Sequence, residues 1–198
     1  MQLGEIAEIK TGLVLSRKKA QIDLQAKATY KLLTLKNISD DGMFINDEFE
    51  SFVSNDRLEQ HYFTKKEDIL MRLNQPYTAV YIDQDHTGLL IPSYFVIIKV
   101  DQTKRVLPQY VAWYLNTIPI KKELERTHAG SRIPSTNQHA IRKLPISIPP
   151  ISKQKIIMEL YRLHQKEKML YKKLIKEKDS LFNEVTRQIL VDTNEEER

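Results

Sequence analysis

The stretch LPISIPPISKQKI, residues 144–156, marks a change in the character of the chain. Three prolines fall within six residues of it, after a polar loop and before a long charged segment without proline or glycine. Proline can neither donate to a strand ladder nor continue a helix interior. We therefore expect Leu144–Ile148 to be a last, edge-type strand that the prolines end. Ser152 is then the predicted N-cap of a following helix.

The helical segment that follows carries apolar residues at helical spacing. These residues, which we call the apolar stripe, are Ile156, Leu160, Leu163, Leu170, Leu174, Leu181, Val185 and Ile189. One helix over residues 151–190 would be roughly 60 Å long, longer than a compact domain covers, so its stripe is predicted to pack against the same helix of a second molecule. The alternative is a helix that folds back near residues 178–180. Residues 191–198 are predicted to be a frayed tail.

Residues 1–150 are predicted to form one globular domain of the α+β class. Short runs rich in Val, Ile, Tyr and Phe predict strands at 30–35, 68–73, 78–83 and 94–100. Residues 107–127 read as a helix that Pro119 breaks or kinks. The predicted strands come before the predicted helix, and this order indicates a mixed, mostly antiparallel sheet with helices. One long C-terminal helix of the coiled-coil type is predicted to follow this domain.

The composition narrows the functional classes. The chain has 198 residues, 41% of them hydrophobic, a net charge of +5 and no cysteine, so disulfides, thiolate metal sites and a cysteine nucleophile are excluded. No apolar run approaches the ~18 residues of a membrane span, and the N-terminal segment does not resemble a secretory signal. We expect a cytoplasmic protein that needs no membrane. The mild positive charge permits an anionic partner.

Motifs for catalysis are weak or missing. NQPY at 74–77 is close to the (N/D)PPY motif of amino-methyltransferases, but Gln75 replaces the first proline and the five glycines stand alone, so no cofactor turn is present. Glu8-Ile9-Lys10 fits half of a nuclease motif that is common by chance. P-loop and HEXXH motifs are absent, and no metal site is expected. The sequence reads as a binding protein without an active site of its own.

Four polar loops carry groups suited to phosphates and base edges: loop A (residues 15–21), loop B (35–39), loop C (72–77) and loop D (130–138). Lys and Arg neutralise phosphates, Asn and Gln can pair with adenine, and Arg with guanine. Gly130 allows a close backbone approach. The candidate DNA-binding residues are Ser16, Arg17, Lys18, Lys19, Lys36, Asn37, Arg72, Asn74, Gln75, Tyr77, Gly130, Ser131, Arg132, Thr136 and Asn137. They form a site only if the fold gathers the loops on one face.

The order of these features resembles the specificity (S) subunit of type I restriction–modification systems. In that family a G-S loop precedes a short helix, a strand-like L-x-I-x-I-P-P segment, and then a Gln and an Ile that open a long helix. The matching positions here are Gly130, Ser131, Ile141 to Leu144, Ile146, Ile148, Pro149, Pro150, Gln154 and Ile156. The N-terminal LGEIAEIKTGLVLSRK and the internal strands are also similar.

The resemblance implies a half-length subunit with a single target recognition domain. Two copies joined by their long helices would rebuild the complete subunit and read an inverted repeat in double-stranded DNA. Modification (methyltransferase) subunits, and in some systems a restriction subunit, would be the partners, and they would bind S-adenosylmethionine and ATP. This chain would bind no cofactor and catalyse nothing. Two alternatives remain open: a small DNA-acting nuclease or methyltransferase, and a dimeric adaptor for proteins.

Overall fold

The computed structural model describes residues 1–22, 26–45, 48–126 and 135–196, with side chains through residue 190. The chain divides into two compact units, Met1–Gln154 (unit 1) and Lys155–Arg198 (unit 2). The prolines and the first helical turn therefore belong to unit 1. No helix among the described residues is both long and apolar enough to cross a membrane.

Unit 1 contains a four-stranded sheet and a separate two-stranded sheet in its described part. The strands are β1 (Ala7–Thr11), β2 (Ala28–Leu32), β3 (Glu50–Ser54), β4 (Ile69–Arg72), β5 (Ala79–Tyr81) and β6 (Phe95–Val100). The larger sheet has the order β1-β6-β4-β5, and every neighbouring pair in it is antiparallel. All four residues of β4 and the first four of β6 are buried, as expected for central strands covered on both faces.

The two-stranded sheet, which we call the ribbon, pairs β2 with β3 in antiparallel register. Its inner side chains belong to a small cluster with Leu13, Phe63 and Leu90. The strand predicted at 30–35 was misplaced: β2 ends at Leu32, and Leu35–Asn37 form a 3-10 turn. The Asn37 carboxamide accepts from the Thr34 backbone N–H at 2.9 Å, so a capped turn replaces the end of the expected strand.

The main core lies on the larger sheet. It consists of Leu33, Ile38, Leu70, Val80, Ile82, Leu89, Ile91, Phe95 and Ile97. These residues come from three strands and from the loops around them, so the core needs long-range folding of the whole unit. The short apolar runs that predicted β4, β5 and β6 supply five of its nine residues.

The described helices are α1 (Pro108–Leu115), α2 (Ile118–Arg126), α3 (Gln138–Arg142) and α4 (Ile151–Glu196). The break predicted at Pro119 is confirmed, because α1 ends before it and the proline lies in the first turn of α2, where its missing N–H costs little. The Asn116 side chain, just after α1, accepts from Ala79 N (3.0 Å) and donates to Ala79 O (2.7 Å), which satisfies both outward backbone groups of the first residue of β5. The antiparallel sheets, these helices and the long α4 confirm the α+β class.

The segment before α4 differs from its prediction. Leu144–Ile148 forms a single bridge, between Gln2 and Pro145, instead of a strand. Two backbone bonds flank it, from Leu3 N to Leu144 O (2.9 Å) and from Ile146 N to Met1 O (3.0 Å). Because these bonds come from Leu144 and Ile146, Pro145 lies at a non-hydrogen-bonded position, where its missing N–H costs the bridge nothing.

The start of α4 also differs from its prediction. The Pro150 carbonyl accepts from the backbone N–H groups of Lys153 (2.9 Å) and Gln154 (3.1 Å). Pro150 is therefore the N-cap, and Ser152 already lies inside the first turn. The prediction failed because it relied on side-chain capping, whereas the rigid proline presents its carbonyl to the helix without a capping side chain.

Gln154 fastens the first turn of α4 within unit 1. Its side chain is fully buried. The carbonyl oxygen accepts from Leu107 N at 2.9 Å, and the amide nitrogen donates to Arg105 O (3.2 Å) and Pro149 O (2.8 Å). A buried amide whose donors and acceptor are all used holds residues 105–107, Pro149 and the first turn of α4 in one arrangement.

Unit 2 is the remainder of α4, which is 46 residues long in total. The helix is continuous through residues 178–180, so the alternative in which it folds back there is wrong. Every residue of the apolar stripe is exposed, from 44% at Val185 to 64% at Leu181. Solvated apolar rows of this length are unusual on a protein surface and mark an interaction face.

Candidate nucleic-acid interface

Loop A lies beside the end of β3. Ser16, Arg17 and Lys19 are exposed, and the backbone carbonyl of Lys18 accepts from Ser54 Oγ (3.1 Å) and Asn55 N (2.9 Å). The Lys18 ammonium lies 2.7 Å from Asp56 Oδ2. Their hydrogen bond raises the pKa of Lys18 and lowers the pKa of Asp56. Lys18 thus anchors the loop, and its charge is balanced locally.

Loop B contributes one exposed candidate and one buried one. The Lys36 side chain is 84% exposed, with its ammonium 3.5 Å from Glu50 Oε1 at the first residue of β3. Asn37 is 1% exposed, and its amide nitrogen donates to Glu48 O at 3.0 Å. The prediction that Asn37 contacts DNA does not fit this burial, because its side chain is used to hold loop B in shape.

Arg72 in loop C is also structural. Its guanidinium is buried and donates to Leu35 O (2.6 Å), Ile38 O (3.0 Å) and Asp40 Oδ1 (3.3 Å). These bonds tie loop B to the end of β4. The prediction of an Arg72–base contact is corrected accordingly: the group that could read guanine is already occupied by backbone carbonyls.

The rest of loop C combines exposed amides with a buried ring. Asn74 and Gln75 are exposed, whereas Tyr77 is 1% exposed and burial raises the pKa of its hydroxyl. The Tyr77 side chain is therefore inaccessible in this structure, which does not fit its predicted contact with DNA. It supports the turn, with its backbone N–H donating to Asn74 O at 2.9 Å.

Loop D is described only from Ser135 onward, so Gly130, Ser131 and Arg132 lie outside the described residues. Ser135 forms a bridge with Asn74, and Thr136 N donates to Leu73 O at 2.6 Å. Thr136 is buried, which removes its side chain from the predicted contacts. Asn137 is exposed and caps α3 by accepting from Ala140 N at 3.0 Å.

The fold brings together three of the four predicted loops. Arg72 joins loop B to loop C, and Thr136 and Ser135 join loop D to loop C. Loop A stands at the other end of the ribbon, which spans roughly 14 Å at 3.4 Å per residue. The candidates that stay accessible are Ser16, Arg17, Lys19, Lys36, Asn74, Gln75 and Asn137.

The ribbon contributes an exposed face that the sequence predictions did not single out. Thr29 lies opposite Val53, and Lys31 lies opposite Ser51. All four are exposed, while the alternate residues Leu32, Phe52 and Ser54 are buried. The signal was the alternation itself, which is visible in ATYKL and ESFVS once the two segments are paired.

The other motifs and cavities do not coincide with these loops. Glu8 and Lys10, the possible nuclease pair, form an ion pair of 2.8 Å at exposed positions of β1, and Lys10 lowers the pKa of Glu8. A cleft of about 500 Å³ near Asp68, Lys99 and Arg105 is lined by none of the predicted residues. Among the described residues, no group of His, Asp or Glu could hold a metal ion.

Solved structures share this fold at low sequence identity. One, described as the structural basis of complex assembly and conformational transition of the type I R-M system, has a TM-score of 0.64 at 13% identity, over 87% of this chain and 43% of that one. The HsdS subunit from Thermoanaerobacter tengcongensis has a TM-score of 0.63 at 13% identity, over 86% and 43%. The type I S subunit from M. genitalium has a TM-score of 0.52 at 14% identity, over 87% and 40%.

The chain thus spans less than half the length of each of these structures. No curated protein sequence matches it. The family model described as the type I restriction modification DNA specificity domain matches residues 1–177, which include all of unit 1, the four loops and more than half of α4. The chain therefore belongs to the family of type I restriction modification DNA specificity domains.

Proposed function

We propose that this chain reads a DNA sequence for a type I restriction–modification system. As a DNA specificity domain it is a recognition unit and not an enzyme. The observation that carries the proposal is the meeting of loops B, C and D through Arg72, Ser135 and Thr136. This arrangement fixes exposed amides and a lysine on a rigid scaffold, as a base-reading surface requires.

The accessible side chains divide by chemistry. The carboxamides of Asn74 and Gln75 have the donor and acceptor pair that matches adenine in the major groove. Arg17 and Lys19 form no ion pair within the described part of the chain, so their charges are available for phosphates. Phosphate contacts would position the domain, and the amides would contribute to the choice of sequence.

We propose further that α4 pairs with α4 of a second copy. The exposed stripe needs an apolar partner of equal length, and the same stripe on a second chain provides one. The matched structures are long enough to hold a second unit of about this size. A two-fold pair of recognition units would read a bipartite palindrome, with the gap between half-sites set by the paired helices.

The expected partners follow from this proposal. Methyltransferase subunits dock on the dimer, and a restriction subunit is a further candidate. These proteins would bind S-adenosylmethionine and ATP, and this chain neither. The cytoplasm, where the target DNA lies, is the proposed location.

The salt dependence of DNA binding tests the recognition role. The variant R17A/K19A leaves the Lys18–Asp56 anchor in place. If both cations contact phosphate, the slope of log K against log [salt] should become less steep by about 2. The control variant K65A/K66A removes two exposed lysines from another part of unit 1. Equal slopes for both variants and wild type would favour the adaptor alternative.

The target itself is found by co-expressing the chain with a type I methyltransferase subunit and mapping methylated positions in the host DNA. A gapped palindrome is expected. An asymmetric site would mean that the second recognition unit differs from this one. Sedimentation of the purified chain at micromolar concentration tests the pairing directly, and a monomer there would contradict it.

A further inference from the structure

The ribbon presents a complete exposed face to solvent. Its inner side chains pack on the cluster around Leu13, Phe63 and Leu90, which fixes the ribbon on unit 1. On the outer face, the cross-strand pairs Thr29–Val53 and Lys31–Ser51 are exposed. This outer face carries one lysine, two hydroxyls and one branched apolar side chain. It is therefore a mixed polar surface, too polar for a core and not uniformly charged.

The surroundings of this face favour an anionic occupant. Arg17, Lys19, Lys27, Lys31 and Arg57 are exposed at or next to the ribbon and form no ion pair among the described residues. Two of the neighbouring carboxylates are already balanced, because Asp56 pairs with Lys18 and Glu50 lies near Lys36. Excess unpaired cations around a mixed polar face fit nucleic acid better than a protein surface.

The dimensions of the ribbon also fit DNA. The two strands lie about 4.8 Å apart, so their outer face fits within a major groove that is about 12 Å wide. The ribbon would present this face and not an edge, because Lys31 O and Val53 O accept from the backbone N–H groups of Leu90 and Ala20. The four steps between the five residues of a strand span about 14 Å at ~3.4 Å each, which matches about four base-pair steps of the same rise. The ribbon also joins loop A, at its Ser54 end, to Lys36 of loop B, at its Glu50 end.

We infer that the β2–β3 ribbon enters the major groove and that Thr29, Lys31, Ser51 and Val53 contact base edges there. This inference rests on the proposed DNA-reading function and assigns part of the sequence choice to residues outside the four loops. Lys31 supplies a donor for guanine O6 and N7, the two hydroxyls bond either donors or acceptors, and Val53 offers an apolar contact for a thymine methyl group. Arg17, Lys19 and Lys27 hold the flanking phosphates.

The test selects double-stranded DNA from a random library with the full chain and repeats the selection with variants. The variants K31Q, S51A and V53T change exposed side chains without touching the inner face, and thermal unfolding verifies their folds. The matched control is K19Q, which removes one exposed lysine of loop A that lies opposite the inner residue Ser54 and therefore outside the outer face.

We expect K31Q to lose about tenfold in affinity for the selected site, with a changed preference at one or two positions. K19Q should weaken binding to selected and unrelated DNA by the same factor, as a phosphate contact does. S51A and V53T should alter the preference at their own positions, which tests the ribbon even if K31Q folds poorly.

Two results would overturn the inference in different ways. If all three ribbon variants keep the wild-type preference, the ribbon does not read bases, while the proposed recognition function stands. If the wild-type chain enriches no sequence at any salt concentration, the proposed function and the inference both fall.

Discussion

The two units use the same apolar residue types in opposite ways. In unit 1, Leu70 and Phe95 are completely buried, whereas Leu160 and Leu181 on α4 are 62% and 64% exposed. Burial of a leucine or phenylalanine contributes about 1.5–3 kcal/mol, so unit 1 completes its own core from within. The stripe on α4 gains this stabilisation only when a partner covers it. The contrast separates a unit that buries its apolar residues within itself from a helix that leaves them exposed.

The largest expected loss of stability comes from a substitution in the main core of unit 1. Phe95→Ala should reduce the free energy of unfolding by about 3–5 kcal/mol, because it leaves a cavity in the main core. Leu160→Ala should change it by less than about 0.5 kcal/mol under monomeric conditions, since that side chain is exposed. Denaturant titration followed by Trp113 fluorescence measures both. Similar losses in the two variants would contradict the contrast.

The next effect concerns the stripe on α4. Leu181→Glu should weaken self-association by about 3 kcal/mol, roughly 100-fold, because it would bury a charge between helices. Asn183→Glu adds the same charge two residues away, outside the stripe. Sedimentation equilibrium compares the two dissociation constants. Equal weakening by both variants would mean that α4 does not pair through this face.

Gln154 offers a sharper test of where unit 1 ends. Gln154→Glu removes the donors to Arg105 O and Pro149 O and brings a carboxylate near both carbonyls. We expect unit 1 to lose about 2–3 kcal/mol at pH 7, whereas Gln165→Glu on unit 2 should cost far less. Burial beside carbonyls should raise the pKa of the new carboxyl in the folded state, so stability should return as the pH falls below that pKa. A loss that is independent of pH would contradict this origin.

The smallest expected effect is a loss of folding stability at alkaline pH that depends on Tyr94. Its hydroxyl donates to Leu33 O at 3.4 Å, and burial raises its pKa from 10.0 to about 12. Above pH 10 the unfolded chain loses this proton first, so the native state binds more protons and its stability falls as the pH rises from 10 to 12. Because the ring is only half-buried, we expect roughly 1 kcal/mol.

The matched variants for this effect are Tyr94→Phe and Tyr171→Phe. Tyr94→Phe should show a smaller loss of stability between pH 10 and 12 than wild type. Tyr171, which is 58% exposed on α4, serves as the control, and its replacement should leave the profile unchanged. If wild type and both variants lose the same stability between pH 10 and 12, the loss arises from groups other than Tyr94.

The sequence predicted the elements that depend on local pattern. Short runs rich in apolar and β-branched residues located β4, β5 and β6, and the proline-free segment located α4, because composition and backbone chemistry are encoded within a few residues. The capped turn at Thr34–Asn37 was missed, because residues 30–35 have a strand-like composition. The hydrogen bond from Thr34 N to the Asn37 carboxamide, which forms the turn, is not visible in that composition. The single bridge at Pro145 was missed because its partner, Gln2, comes from the other end of unit 1.

The candidate site was predictable as a set of loops and not as a set of contacts. Asn37 and Arg72 have the side chains that DNA readers use, yet both are committed to backbone carbonyls, one of them 37 positions away in sequence. Residue type cannot separate such roles, since the partners meet only after folding. The outer face of the ribbon shows the reverse case, in which ordinary residues become candidates through strand pairing.

Gln154 determines where this protein can be cut and recombined. Its three hydrogen-bond partners, Arg105, Leu107 and Pro149, all lie on the N-terminal side of the helix. A chimera joined after Pro150 would take its glutamine from one parent and the backbone that cradles it from the other. A chimera joined after Gln154 would transplant an intact module onto a foreign helix. Engineered exchange of sequence preference should therefore use the later junction.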